Sequence, residues 1–157
     1  MIFIVDLDGT VADITHRLHF IGATETKYVP YKDTKDWEGF HNACVDDAPI
    51  WTVITVVRAL AKAGHTIVYS TGRGEQSRLL TMQWLEKYRV PFSTVYMRKQ
   101  GDHREDYVVK GEFLDQILAH YKVTEKELGG AFEDRQQVVK MYRGRGVKVF
   151  QVADGNF

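Results

Sequence analysis

Short runs of β-branched and aromatic residues alternate along this chain with longer stretches whose apolar positions recur every three or four residues. The runs Ile2–Val5, Thr66–Tyr69, Thr94–Tyr96, Gly130–Phe132 and Val147–Val152 predict strands. Between them, Ile50–Ala63 predicts a helix that Gly64 closes. Gln76–Tyr88 places Leu79, Leu80, Met82, Trp84 and Leu85 at helical spacing and stops ahead of Pro91, since a proline disfavours helical backbone before it. Tyr107–Tyr121 carries Val109, Phe113, Ile117 and Tyr121 as an i, i+4 stripe, and Gln136–Arg145 ends at Gly146. Strands alternating with helices imply βαβ units. Their right-handed crossovers put helices on both faces of a mainly parallel sheet. The fold expected is α/β and Rossmann-like.

Residues 14–49 break this rhythm. They hold Pro30 and Pro49, the aromatics Tyr28, Tyr31, Trp37 and Phe40, and His41. A short helix near Thr15–Phe20 followed by an irregular insert is expected. Inserts of this length commonly act as lids, and the aromatics favour an ordered one. Trp37, Phe40 and Tyr31 could stack nucleobases, but a small core beneath the insert is the reading preferred for them.

The chain has 157 residues, 44% hydrophobic and 27% charged, as in ordinary soluble globular proteins. That length suits one domain, residues 1–157, with 14–49 as a small cap insert. No apolar run is long enough to span a bilayer, and the N-terminus lacks the basic region of a signal peptide. A single cysteine, Cys44, cannot form an internal disulfide. A cytoplasmic protein without membrane partners is therefore expected. Net charge is zero, but residues 1–50 hold four bases against nine acids while residues 51–157 hold 17 bases against 12 acids. An acidic centre beside cationic groups for a phosphate would give such a split, although from charge alone ordinary surface fluctuation is the preferred reading.

The chemistry begins at Phe3-Ile4-Val5-Asp6-Leu7-Asp8-Gly9-Thr10. In parallel α/β sheets ligands bind beyond the carboxyl ends of strands. Asp6 and Asp8 stand at that place, two residues apart on a strand and so pointing the same way. Two converging carboxylates repel unless a cation is present, and hard oxygen ligands suit Mg²⁺. Further on come Ile67-Val68-Tyr69-Ser70-Thr71-Gly72-Arg73, then Tyr107-Val108-Val109-Lys110, then Glu133-Asp134 after Gly130–Phe132.

In this order the segments resemble the four motifs of the haloacid dehalogenase (HAD) superfamily of phosphohydrolases. The resemblance implies a HAD-type parallel sheet flanked by helices, with the insert after the first strand as a cap. It makes Asp6 the nucleophile that forms an aspartyl-phosphate and Asp8 the general acid and base. Thr71 would hydrogen-bond a phosphoryl oxygen, with Ser70 the next candidate, and Gly72 lies beside it. Lys110 would neutralise charge on the phosphoryl group. Mg²⁺ would be held by Asp6, the backbone carbonyl of Asp8, and Asp134 or Glu133. A Glu stands where the family's motif begins with Asp, and Asp134 is the favoured direct ligand.

A closer resemblance lies in Gln100-Gly101-Asp102-His103-Arg104-Glu105-Asp106-Tyr107-Val108-Val109-Lys110 and Glu133-Asp134-Arg135-Gln136-Gln137-Val138-Val139. So does the stretch from Phe150 to Phe157. These are similar to the 3′-phosphatase domain of bacteriophage polynucleotide kinase/phosphatase, from about residue 92 onward. The resemblance assigns Arg17 and Arg73 to the phosphate site and Arg104 to a basic loop. A guanidinium fork suits phosphate oxygens, while a surface ion pair is the plain alternative for each. No GxxxxGK[ST] kinase loop occurs among these residues.

The activity implied is a Mg²⁺-dependent phosphomonoesterase removing 3′-phosphate from polynucleotide ends. Its substrate would be a phosphorylated nucleic-acid end or a nucleotide. A small-molecule phosphatase such as a 5′-nucleotidase is the alternative within the enzyme class. A non-catalytic module that binds phosphorylated ends is the alternative outside it. The intact motifs weigh against the module.

Overall fold

Every residue of the first strand, β1 (Ile2–Val5), is buried in the computed structural model of the chain, which describes residues 1–23, the backbone of 24 and 27–28, and 35–155. Burial on both faces is what a continuous apolar run predicts for a central parallel strand. Phe3 and Val5 pack with Val53, Ile54, Val57, Trp84 and Leu85 on one side. Ile2 and Ile4 pack with Leu114, Ile117, Val138 and Tyr142 on the other. Alternation along one strand thus supplies both cores.

After β1 come two short strands, β2 (Ala12–Asp13) and β3 (Ala23–Thr24), with a 3₁₀ turn over Thr15–Ile21 between them. β4 (Lys27–Tyr28), the helix α1 (Trp37–Asn42), a second 3₁₀ turn and β5 (Ala48–Pro49) follow. The rest alternates: α2 (Trp51–Lys62), β6 (Thr66–Gly74), α3 (Arg78–Lys87), β7 (Thr94–Arg98), α4 (Asp106–Tyr121), β8 (Gly130–Arg135), α5 (Gln136–Gly144) and β9 (Val149–Gly155). Five strands form one sheet in the order β7-β6-β1-β8-β9, and every pairing in it is parallel. The expected α/β architecture is the observed one. Four strands run longer than their apolar cores predict, β7 reaching Arg98 and β8 reaching Arg135. β6 continues through Thr71-Gly72-Arg73 to Gly74, with a register shift after Thr71. β9 starts at Val149, two residues late, and reaches Gly155.

Within 14–49, β2 pairs antiparallel with β5, Ala12 facing Pro49. The segment therefore begins and ends on a paired two-stranded ribbon separate from the main sheet. Ile14, Leu18, Ile21, Ala23 and Phe40 form a third core of their own, with Phe20 against it. Phe40 is thus a core residue as expected, whereas Trp37 is 48% exposed and stands outside it. Tyr31 and Pro30 lie outside the described residues, as do Asn156 and Phe157. Among the described residues no helix is long and apolar enough to cross a membrane.

Candidate active site

The carboxyl ends of β1, β6, β7 and β8 meet around a cavity of about 930 Å³ whose lining includes Asp6, Asp8, Gly72, Arg73, Arg98 and Lys110. Asp6 follows β1 directly, its N–H donating to the Phe132 carbonyl (3.0 Å). Asp8 lies beyond the strand, where Gly9 adopts a φ of 81°. A side chain at Gly9 would also overlap the Asp134 carboxylate, so the turn and the close approach both require glycine.

Asp6 and Asp8 face one cavity but are held by different partners. Lys110, on the second turn of α4 and fully buried, donates to Asp6 Oδ1 (2.6 Å) and to Glu133 Oε2 (2.8 Å). Asp106, one helical turn earlier, stands 3.5 Å from the same Nζ. Asp6, Glu133 and Asp134 each offer an oxygen, all within 4.8 Å of one another. Both Glu133 oxygens are engaged, by Lys110 and by the Arg135 N–H. Asp134 Oδ1 is buried and has no hydrogen-bond partner among the described residues.

Asp8 belongs to a second cluster. Its Oδ1 accepts from Arg17 Nη2 (2.7 Å) and from Arg73 Nε and Nη2 (2.8 and 2.5 Å). The same two guanidiniums reach Asp47, from Arg17 Nε at 2.6 Å and from Arg73 Nη2 at 2.6 Å. Asp47 is fully buried and also contacts His16 Nε2 at 2.9 Å. His16 thus touches the carboxylate that fixes both arginines.

The two clusters shift their acids in opposite directions. Burial pushes Asp6 up to about 8, with Glu133 adding to the effect and Lys110 opposing it. Burial likewise raises Glu133 to about 7 and Asp134 to about 6. For Asp8 burial acts upward too, but Arg17 and Arg73 outweigh it and hold the carboxyl well below its ordinary range. Lys110 is kept firmly protonated, because Asp6, Glu133 and Asp106 outweigh its burial.

Of the other residues expected here, Gly72 and Arg73 line the cavity. A Cβ at Gly72 would press on Asp106 Oδ1 at 2.6 Å. Thr71 and Arg17 lie one layer behind, both fully buried. Thr71 Oγ1 accepts from the Arg73 N–H (3.2 Å), while Ser70 Oγ accepts from Tyr142 (3.4 Å). Arg104 sits at the mouth, half exposed and ion-paired with Asp102 and Glu112.

Three residues at the site had escaped the sequence reading. Asp106 gathers Lys110, Arg98 and Arg135; its i, i+4 spacing from Lys110 was a usable signal. Arg98 ends β7 and also donates to the carbonyls of Gly72 (3.2 Å) and Arg104 (2.6 Å). Its place at a strand's carboxyl end was the clue. Asp47 sits in the irregular segment, where no spacing pointed to it.

Residues 30–157 match the family model described as "Polynucleotide kinase PNKP phosphatase domain". The chain belongs to this family. Among solved structures it is similar to a chain of the Pnkp1/Rnl/Hen1 complex, with 27% identity and a TM-score of 0.76 over 99% of this chain and 46% of that one. A chain from the Pnkp1/Rnl/Hen1 RNA repair complex is 24% identical, TM-score 0.73, over 99% and 43% respectively. The PNKP-type phosphatase chain thus spans less than half the length of these two relatives. At the level of fold it also resembles the D,D-heptose 1,7-bisphosphate phosphatase from B. bronchiseptica complexed with magnesium and phosphate. That match has 15% identity and a TM-score of 0.62, over 98% of this chain and 82% of that one.

Proposed function

We propose that this chain is a Mg²⁺-dependent phosphomonoesterase that removes 3′-phosphate from polynucleotide ends through an aspartyl-phosphate on Asp6. The observation that carries this reading is Asp6 itself. It is a buried carboxylate at a strand end, facing the cavity, held by Lys110 and drawn into an acidic trio with Glu133 and Asp134.

The donor set fits a hard divalent cation. Three carboxylates share a small volume with one lysine, and Asp134 Oδ1 lacks a hydrogen-bond partner among the described residues. Asp6 and Asp134 would hold the ion with the Asp8 carbonyl, while Glu133, engaged at both oxygens, would orient Lys110. When bound, Mg²⁺ offsets the repulsion among these carboxylates, keeps Asp6 ionised near neutral pH and draws charge from the phosphoryl oxygens.

The remaining steps belong to the chain's own side chains. The Asp6 carboxylate attacks phosphorus, and the bond to the 3′-oxygen of the substrate breaks. Asp8 gives that oxygen a proton. In the resting site Arg17 and Arg73 hold Asp8 ionised. An entering phosphoryl group competes for these guanidiniums, which loosens their grip on Asp8, and the carboxylate takes up from solvent the proton that it then gives to the leaving oxygen. Asp8 then takes a proton from water, which attacks the aspartyl-phosphate, releasing phosphate and restoring Asp6. Lys110 and Arg73 stabilise the charge that develops, and Thr71 supports the Arg73 backbone from behind. The segment 14–49 acts as a cap, since it supplies Arg17 and Asp47 and walls the cavity with α1.

The substrate part of the proposal draws support from family membership and from the similarity to a chain in an RNA repair complex. The test is phosphate release with Mg²⁺ from a 3′-phosphorylated oligonucleotide, its 5′-phosphorylated isomer, a 3′-mononucleotide and an aryl phosphate, with Asp6→Asn as blank. Preference for the 3′-phosphorylated oligonucleotide is expected. Turnover of the small substrates alone would keep the chemistry and replace the substrate class.

A further inference from the structure

α1 is a short helix, but it is firmly placed. Asp36 caps it by accepting from the Gly39 N–H (2.7 Å), and the Asp36 N–H donates to the Phe20 carbonyl (2.8 Å). Gly39 packs so closely on the Phe20 ring that a Cβ there would come within 2.8 Å of it. On one side of α1, Phe40 lies beneath the Arg17 guanidinium, 4.2 Å from ring centroid to Cζ, and its carbonyl accepts from Arg17 Nη1 (3.3 Å). Arg17 in turn holds Asp8. The helix is thereby keyed to the phosphate end of the site.

Trp37 and His41, one turn apart, share a face of the helix. Both line the same cavity as Asp6 and Asp8. Their rings lie nearly parallel, 6.2 Å apart with 28° between planes, and Phe40 supports Trp37 edge-on at 5.9 Å. Trp37 remains 48% exposed although it lies at a polar cavity, with Lys35 Nζ 5.6 Å from its ring centroid. His41 Nδ1 is buried with no hydrogen-bond partner among the described residues. An exposed indole and an unsatisfied imidazole nitrogen, both braced by a helix that also touches the phosphate-site arginine, are suited to a flat heterocycle with polar edges.

We propose that Trp37 and His41 form the seat of the terminal nucleobase, Trp37 by stacking and the His41 imidazole by a polar contact with the terminal nucleoside. This rests on the reading of the site as a nucleotide 3′-phosphatase and adds to it the residues that recognise the nucleoside. Stacking accepts any base, so the platform selects for the presence of a base and discriminates little among the four.

The experiment pairs Trp37→Ala, Trp37→Phe and His41→Ala with two substrates. One is a 3′-phosphorylated oligonucleotide; the other is the same strand ending in an abasic residue that carries the phosphate. On the base-bearing strand Trp37→Ala is expected to raise KM about tenfold with little change in kcat. His41→Ala should raise it about fivefold, and Trp37→Phe should keep most of the parent behaviour. Removing the base from the substrate should cost the parent enzyme about tenfold as well. The two losses should overlap, giving about tenfold together instead of a hundredfold. Equal losses for Trp37→Ala on both strands would reveal a merely structural role and overturn the proposal, as would an unchanged KM.

Titrating a nucleoside 3′-monophosphate while following tryptophan fluorescence separates this proposal from the one beneath it. Quenching that disappears in Trp37→Phe, without turnover of any 3′-phosphate, would keep the platform and discard the 3′-phosphatase reading. Turnover of 3′-phosphates without Trp37-dependent quenching would do the reverse.

Discussion

Asp6 and Asp8 are separated by one residue, yet they live in opposite electrostatic surroundings. Around Asp6, four buried acids (Asp6, Asp106, Glu133 and Asp134) meet Lys110, while Arg98 and Arg135 pair with Asp106 at the edge, so acids still outnumber bases four to three. Around Asp8, two buried arginines meet two acids, Asp8 and Asp47. The first cluster has surplus negative charge, and its trio of carboxylates is pushed upward. The second is balanced, and Asp8 is pushed down. Neighbouring acids driven apart in this way are how one site obtains two different roles from one residue type. The surplus pole is built to receive a cation. The balanced pole is finished as it stands and yields only to a competing anion.

The sharpest test of that contrast changes each aspartate in turn. Asp6→Asn and Asp8→Asn should each lower kcat for phosphate release by at least about a thousandfold. Their stabilities without metal should diverge. Asp6→Asn relieves crowding and should raise the urea midpoint. Asp8→Asn strips both guanidiniums of a partner and should lower it. Two shifts of the same sign would dissolve the distinction between the poles.

Next in size is Asp47→Asn. Asp47 is fully buried between Arg17 and Arg73, and removing one member of a buried ion pair costs about 3–5 kcal/mol. Chemical denaturation should show that loss, and Mg²⁺ should not restore it. Glu133→Gln, from the other pole, should leave the metal-free protein at least as stable as its parent. Recovery of Asp47→Asn by Mg²⁺ would mean that the two clusters share one charge balance.

A third, smaller effect follows from proton linkage. Asp6, Glu133 and Asp134 titrate at about 8, 7 and 6 in the metal-free fold, against ordinary values of 3.8 and 4.5. Between about pH 4 and 8 the folded state therefore binds more protons than the unfolded chain, and the stability these groups contribute falls as pH rises. Asp8 acts in the opposite sense, losing its contribution as pH falls through the acid range. A cation favours the ionised trio, so Mg²⁺ should raise Tm little at pH 5. At pH 8 the rise should be on the order of 5 °C, as for a ligand at about a hundred times its Kd. A Tm rise independent of pH would place the ion elsewhere.

The surplus pole was largely legible in the sequence; the balanced pole was only half so. Asp6, Lys110, Glu133 and Asp134 each sit on or directly after a strand or a strongly patterned helix, where alternation and periodicity fix direction. Arg17 and Arg73 could be named from motifs, but Asp47, which joins them, could not. It lies in 14–49, where pairing of β2 with β5 and a separate core around Phe40 set the geometry. Tertiary contacts of that kind leave no periodic trace. Asp6 and Asp8 line one cavity, but their carboxylates take different partners for a local reason. The chain leaves β1 before Asp8, and the turn at Gly9 hands that side chain to the arginines. Trp37 and Phe40 are both expected in a core; their rings do pack edge-on, but only Phe40 is buried, and Trp37 stays 48% exposed at the cavity.

The smallest effect is expected at Arg104, and it sharpens the contrast between buried and exposed guanidiniums. Arg73 is buried and fixed by Asp8 and Asp47, whereas Arg104 is half exposed and already met by Asp102 and Glu112. Exposed pairs contribute about 0–1 kcal/mol, so Arg104→Ala should change stability by no more than that. For the residue to grip a phosphate it would first have to leave two carboxylates. KM for a 3′-phosphorylated oligonucleotide should therefore rise less than about threefold, with a salt dependence close to the parent's. A much larger rise at low salt, confined to polymeric substrates, would show that the loop carrying Arg104 turns toward the nucleic-acid backbone. The cationic face of the site would then extend past the two buried arginines to the rim of the cavity.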